Sequence, residues 1–160
     1  MAGTMCRLIQ IKFRHMLATV YEFLTRLGYP HPIHPTEVHI PIGLVVGATI
    51  FRLAAPLLTR PELVRTAHHA AVLALILLAP TIVFGIMDWQ YFYGGIWTRP
   101  FQVKIWLTPL LVLCVGASVV VAHRTEMKSP LVTLLYIGAL VIVVVIGYFG
   151  GNIVYGGANP

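Results

Sequence analysis

Apolar residues gather into four long runs, over 42–58, 67–87, 103–122 and 131–147. Each is near the roughly 20 residues that a helix needs to cross a hydrocarbon layer. Ahead of them, Met5, Ile9, Phe13, Met16, Val20, Leu24 and Leu27 recur at helical spacing, while Arg7, Gln10, Arg14, Glu22 and Arg26 fall mostly on the other side. This pattern predicts a basic amphipathic helix over 1–28 that lies in the headgroup region, with Lys12 snorkelling at its apolar edge. A soluble helix packed on a partner subunit would show the same pattern. The connections "TRPELVRT", "DWQYFYGGIWTRP" and "HRTEMKSP" carry the Pro, Gly and charged residues of turns.

Backbone groups in hydrocarbon must be paired internally, so the expected fold is an all-α integral membrane bundle. It has four transmembrane helices over 29–157, preceded by the interfacial helix and closed by a Gly-rich tail over 148–160. An even number of spans puts both termini on one side, here called end A; the two short basic connections define end B. The basic residues near the membrane are divided almost equally between the ends and do not set the orientation. Gly43–Gly47 and Gly147–Gly151 form two G-x-x-x-G pairs, the spacing at which helices approach closely. Pro80 and Pro109 fall inside the second and third spans, where each removes an amide donor.

Composition agrees with this picture: 58% of the 160 residues are hydrophobic and 10% charged, against about 25% charged in soluble domains. The net charge of +6 is scattered between apolar runs, which suits a lipid bilayer with anionic headgroups and no nucleic acid. Cys6 and Cys114 are too few for a disulfide framework.

Placed on this topology, the polar residues are uneven. End A collects His31, His34, His39, Glu37, Asp88, Arg99 and Lys104 with all three tryptophans, Trp89, Trp97 and Trp106; end B collects His68, His69 and His123 with Arg65 and Arg124. Zinc is not expected, because prolines rather than ligand geometry organise the spacing in "YPHPIHPTEVHIPIG". A b-type haem needs imidazoles from two facing helices. His68 or His69 with His123 supplies such a pair at end B, and Arg65 and Arg124 are placed for propionates. At end A, His39 opens a Gly43–Gly47 stripe with room for a flat ring, without a second helical ligand. A quinone pocket at end A is the related alternative, with His39 or Asp88 exchanging protons, Trp89 or Trp97 as walls and Lys104 in reach of Asp88. Arg52, inside the first span, snorkels to lipid phosphate or finds a partner. Motifs of hydrolytic enzymes and phosphate loops are missing from the sequence, and no catalytic residue is assigned.

"HPIHPTEVHIPIG", "GIMDW" and "GYFGGNIVYGG" resemble the beginning, middle and end of a widespread bacterial family of predicted four-helix membrane proteins of unknown function, over residues 30–157. The matching positions are His34, His39, Pro41, Gly43, Asp88, Gly150, Gly151, Val154 and Tyr155. The sequence departs from the pattern where a His is expected near the start of the third span, with Gln102, Val103 and Lys104 there instead. Relatives of this type are sometimes fused to Rieske iron–sulfur or c-type cytochrome domains. The resemblance therefore implies a multi-pass protein of the bacterial inner membrane in electron transport. Two functions follow from the sequence: a subunit of a respiratory complex that binds haem b or quinone and docks membrane or periplasmic redox subunits, or a cofactor-free anchor that stabilises a larger complex.

Overall fold

A computed structural model describes residues 2–127 and 129–155, with side chains over 12–127 and 129–154. Lys128 and residues 156–160 of the expected tail lie outside the described residues, as do the side chains of Met5, Cys6, Arg7, Ile9 and Gln10. The described chain is all helix: α1 (Ala2–Arg26), α2 (His34–Glu37), α3 (His39–Leu57), α4 (Glu62–Tyr91), α5 (Arg99–Arg124) and α6 (Pro130–Tyr155). α2 and α3 run on nearly continuously, and His34–Leu57, α4, α5 and most of α6 are four segments long and apolar enough to cross a membrane.

The helices outrun the apolar stretches at both ends. α4 starts at Glu62, just after Pro61, and α5 has Pro100 in its first turn, where a missing amide costs little. α6 continues through Gly150 and Gly151 to Tyr155, so most of the glycine-rich segment read as tail is helical. α1 stops in a Schellman turn: Gly28 is at φ +87°, and the Tyr29 amide donates to the Leu24 carbonyl at 2.9 Å. α3 and α5 end the same way without glycine, through Thr59 at φ 53° and Glu126 at φ 49°, with amides of Arg60 and Met127 reaching Ala55 and Ala122.

α3 packs most extensively on α4 and α5 on α6, and α3–α6 and α4–α5 contacts close the antiparallel bundle. One half of the core is Val45, Leu78, Leu111, Val115, Val143 and Ile146; the half nearer end B is built on Ala48, Ala67, Ala71 and Ala122 around Val132 and Tyr136. Close approach therefore runs through alanines. A Cβ added at Gly43, Gly147 or Gly151 would meet nothing within 4 Å, so these positions face open space rather than a neighbouring helix. Polar side chains inside the bundle are tied to carbonyls: Thr49 donates to Tyr136 across the α3–α6 contact and Cys114 to Leu135 across α5–α6. Arg52 finds protein partners, donating from Nε to Thr133 and from its two Nη atoms to the carbonyls of Met127 and Ser129.

Candidate functional site at end A

Thr81, Gly85 and Asp88 are spaced three and four residues apart and so share one face of α4. Across that face lie His34 and Glu37 of α2. Asp88 is 3% exposed, and a carboxylate so placed needs partners. It has three. Tyr21 of α1 donates its hydroxyl to Oδ1 in a short contact, the Ile33 amide donates to Oδ1 at 3.2 Å, and the His34 amide to Oδ2 at 2.7 Å. α2 has no capping side chain of its own. Asp88 supplies the cap from another helix, placing negative charge at the N-terminus of the first span.

His34 turns its ring onto α4. Nδ1 lies 3.0 Å from the Thr81 carbonyl, which only accepts, so Nδ1 carries the hydrogen. Nε2 is then the acceptor, and it faces Lys104 Nζ of α5 at 3.4 Å. Gly85 makes this approach possible, because a Cβ there would sit 3.1 Å from Nδ1. Gly150 of α6 lies beside Lys104, whose Nζ is 3.7 Å from the position of an added Cβ, an ordinary contact distance that does not demand glycine. Glu37 completes the layer: Thr81 Oγ1 is 2.6 Å from its Oε2 and 2.7 Å from the Leu77 carbonyl. With a single hydrogen, the hydroxyl serves one of these acceptors at a time.

α1 reaches the layer through Tyr21, which stacks on Tyr91 and meets Phe92 edge-on. Burial, reinforced by the Asp88 carboxylate, pushes its hydroxyl well above the ordinary tyrosine range and keeps it a donor. Burial and then Asp88 raise Tyr93 in the same direction.

The residues singled out from sequence divide into four groups. Asp88 and Lys104 stand in the layer. Trp89 and Trp97 pack edge to face beside it, and the Trp89 indole donates to the Ile96 carbonyl, so this pair closes the α4–α5 connection. His39 begins α3 at an exposed position, His31 packs on Tyr29, and His34 is the member of that cluster that joins the layer. At end B, His68 is half-buried with an unpartnered Nδ1 and has His123 within electrostatic reach, whereas His69 and His123 are exposed. At that level Ala67 and Ala71 of α4 and Ala122 of α5 are buried in one packed core cluster. A macrocycle needs a gap there, and these residues do not fit a haem held between the two helices.

Thr81 and Tyr21 were not picked out from sequence, and His34 and Glu37 stood in the end A cluster without an assigned role. Register would have found three of them. Counting outward along α3 and α4 from the turn after Leu57 sets His34 beside Gly85 and Glu37 beside Thr81. No such count reaches Tyr21, whose helix joins the bundle through a loop.

Compared with known protein families, the chain matches the sequence model of one described as "predicted membrane protein (DUF2231)" over residues 30–158. That span leaves out α1 and takes in the whole bundle. Curated proteins and solved structures gave no match.

Proposed function

Since the chain belongs to this DUF2231 family of predicted membrane proteins, we propose that it is a membrane subunit of a bacterial electron-transfer complex in the inner membrane. In this reading, the layer at end A exchanges protons with a quinone-type carrier or a docked redox subunit. The observation that carries the reading is the His34–Lys104 pair at 3.4 Å beside the buried Asp88. Ionisable groups inside a membrane bundle are costly and mark proton or substrate paths.

A quinone takes up protons together with electrons, and this chemistry needs a protein donor at the membrane face. Lys104 gives a proton from Nζ to the reduced carrier and is left a neutral amine, which takes a proton back from water at the membrane face, while His34 Nε2 accepts a hydrogen bond from Nζ and orients it. Asp88 holds the His34 backbone in place for that exchange. Quinone is preferred to haem b here because both His34 nitrogens already have partners.

The test uses membranes from cells lacking the chain, complemented with wild type, His34→Gln or Lys104→Met. Loss of a positioned proton donor lowers quinol-linked electron transfer by about a hundredfold, while the amount of assembled complex is unchanged. A reduced-minus-oxidised spectrum of the purified complex reports any haem band.

The cofactor-free anchor is the second reading. It is favoured by the closure of the layer, since both Asp88 oxygens and both His34 ring nitrogens are met from within the chain. Under it, both variants leave electron transfer at the wild-type rate, and Asp88 and Tyr21 matter only for holding α1.

A further inference from the structure

At end B, far from the His34 layer, α3, the start of α4 and the α5–α6 turn enclose a groove of about 1310 Å³. This exceeds the roughly 300–1,000 Å³ of small-molecule pockets. Its walls include Leu53, Pro56, Val64 and Pro130, and two cations, Arg52 and Arg65, line it. Arg52 uses three of its five N–H donors on Thr133, Met127 and Ser129, which leaves two. Arg65 is exposed and makes no hydrogen bond or ion pair among the described residues. Two carboxylates, Glu62 and Glu126, also line the groove. Glu62 is answered by Arg60 at 3.2 Å, and Arg124 ends α5 beside the same turn.

We propose that this groove binds the head of one anionic diacyl phospholipid, its phosphate taken by Arg65 and the remaining donors of Arg52 and its glycerol and the start of its acyl chains set against Leu53, Pro56 and Val64. A groove that sets two arginines among apolar side chains at the end of the spans matches a molecule whose anionic head is joined directly to apolar chains. A zwitterionic lipid brings a cation as well as the phosphate and loses that advantage.

Native mass spectrometry of the purified full chain, offered dioleoyl-phosphatidylglycerol or dioleoyl-phosphatidylcholine, tests this. Wild type is expected to retain one phosphatidylglycerol in preference to phosphatidylcholine. Arg65→Gln lowers that retention about fivefold, the factor expected for one cation near an anionic headgroup. Val64→Trp, which fills the trough and leaves both arginines, abolishes it. Equal retention of the two lipids, or wild-type retention by both variants, overturns the proposal. So does displacement of the lipid by inorganic phosphate alone, which marks a free-anion site. A photo-cross-linker at Leu53 that captures protein in native membranes instead of lipid overturns it as well.

Discussion

Replacing Asp88 with Asn removes the charge on which α1, α2 and α4 converge while keeping size and shape. The carboxylate accepts from Tyr21 and Ile33 on Oδ1 and from His34 on Oδ2. An amide offers one acceptor oxygen. If its NH2 group takes the Oδ2 place, it faces the His34 amide donor to donor; if it takes the Oδ1 place, it faces the Ile33 amide. Tyr21 can rotate its hydroxyl to accept, but a backbone amide cannot. One buried N–H is therefore stranded in either orientation, at about 1–3 kcal/mol, and the surviving bonds lose the charge assistance that makes such bonds worth about 1.5–3 kcal/mol. The expected loss is about 3 kcal/mol, allowing for some relaxation of the loop before α2. SDS titration of the chain in mixed micelles, followed by tryptophan fluorescence, measures it. Limited proteolysis shows whether α1 is released first. Tyr21→Phe alone removes the side-chain bond and leaves the cap, so it frees α1 at about 1–2 kcal/mol, and the double variant costs less than the two single losses combined. Asp88→Asn within about 0.5 kcal/mol of wild type, with α1 still protected, would refute the reasoning.

Three further outcomes follow from the same contacts. Gly85→Ala pushes a Cβ to 3.1 Å from an imidazole fixed at both nitrogens and costs about 1–2 kcal/mol; Gly150→Ala, with its nearest contact at 3.7 Å, changes stability by less than about 0.5 kcal/mol in the same titration. Arg52→Lys replaces a fork that reaches Thr133, Met127 and Ser129 with a point charge and destabilises by about 2 kcal/mol, with the α5–α6 turn the first site of protease cutting. Because the folded chain keeps Tyr21 and Tyr93 protonated to higher pH than the unfolded chain does, their stabilisation is complete below a pH of about 10, where free tyrosine ionises, and is lost as pH rises beyond it. Stability measured between neutral and strongly alkaline pH therefore falls less steeply in Tyr21→Phe than in wild type.

The four spans were legible because their cause is local. A run of some 20 apolar residues in lipid has one way to pair its amides, and that requirement reads directly from residues 67–87 or 103–122. Close packing was less legible. Gly43–Gly47 and Gly147–Gly151 have the spacing of a contact, but the bundle closes through Ala67, Ala71 and Ala122, and three of those four glycines face open space. Alanines inside an apolar run carry no mark to distinguish an inward face from an outward one.

The layer at end A shows the same limit more sharply, since Tyr21, His34, Asp88 and Lys104 come from four different helices. Asp88 and Lys104 stood out because a charge at the edge of an apolar run needs a partner. His39 drew attention ahead of His34 because it opens the Gly43–Gly47 stripe at the start of the first apolar run. The chain instead makes an extra turn at His34–Glu37, in which the Thr36 and Glu37 amides donate back to the Ile33 carbonyl while the Ile33 and His34 amides go to Asp88. Pro35 and Glu37 in its first turn are local start signals, but the Asp88 cap that completes it comes from tertiary contact and is not written within residues 30–41. The turn and the His34 ring position therefore depend on α4 being docked. A variant that loosens α4 near Asp88 should disorder α2 and displace the His34–Lys104 pair together, while the alanine-packed half near end B stays intact.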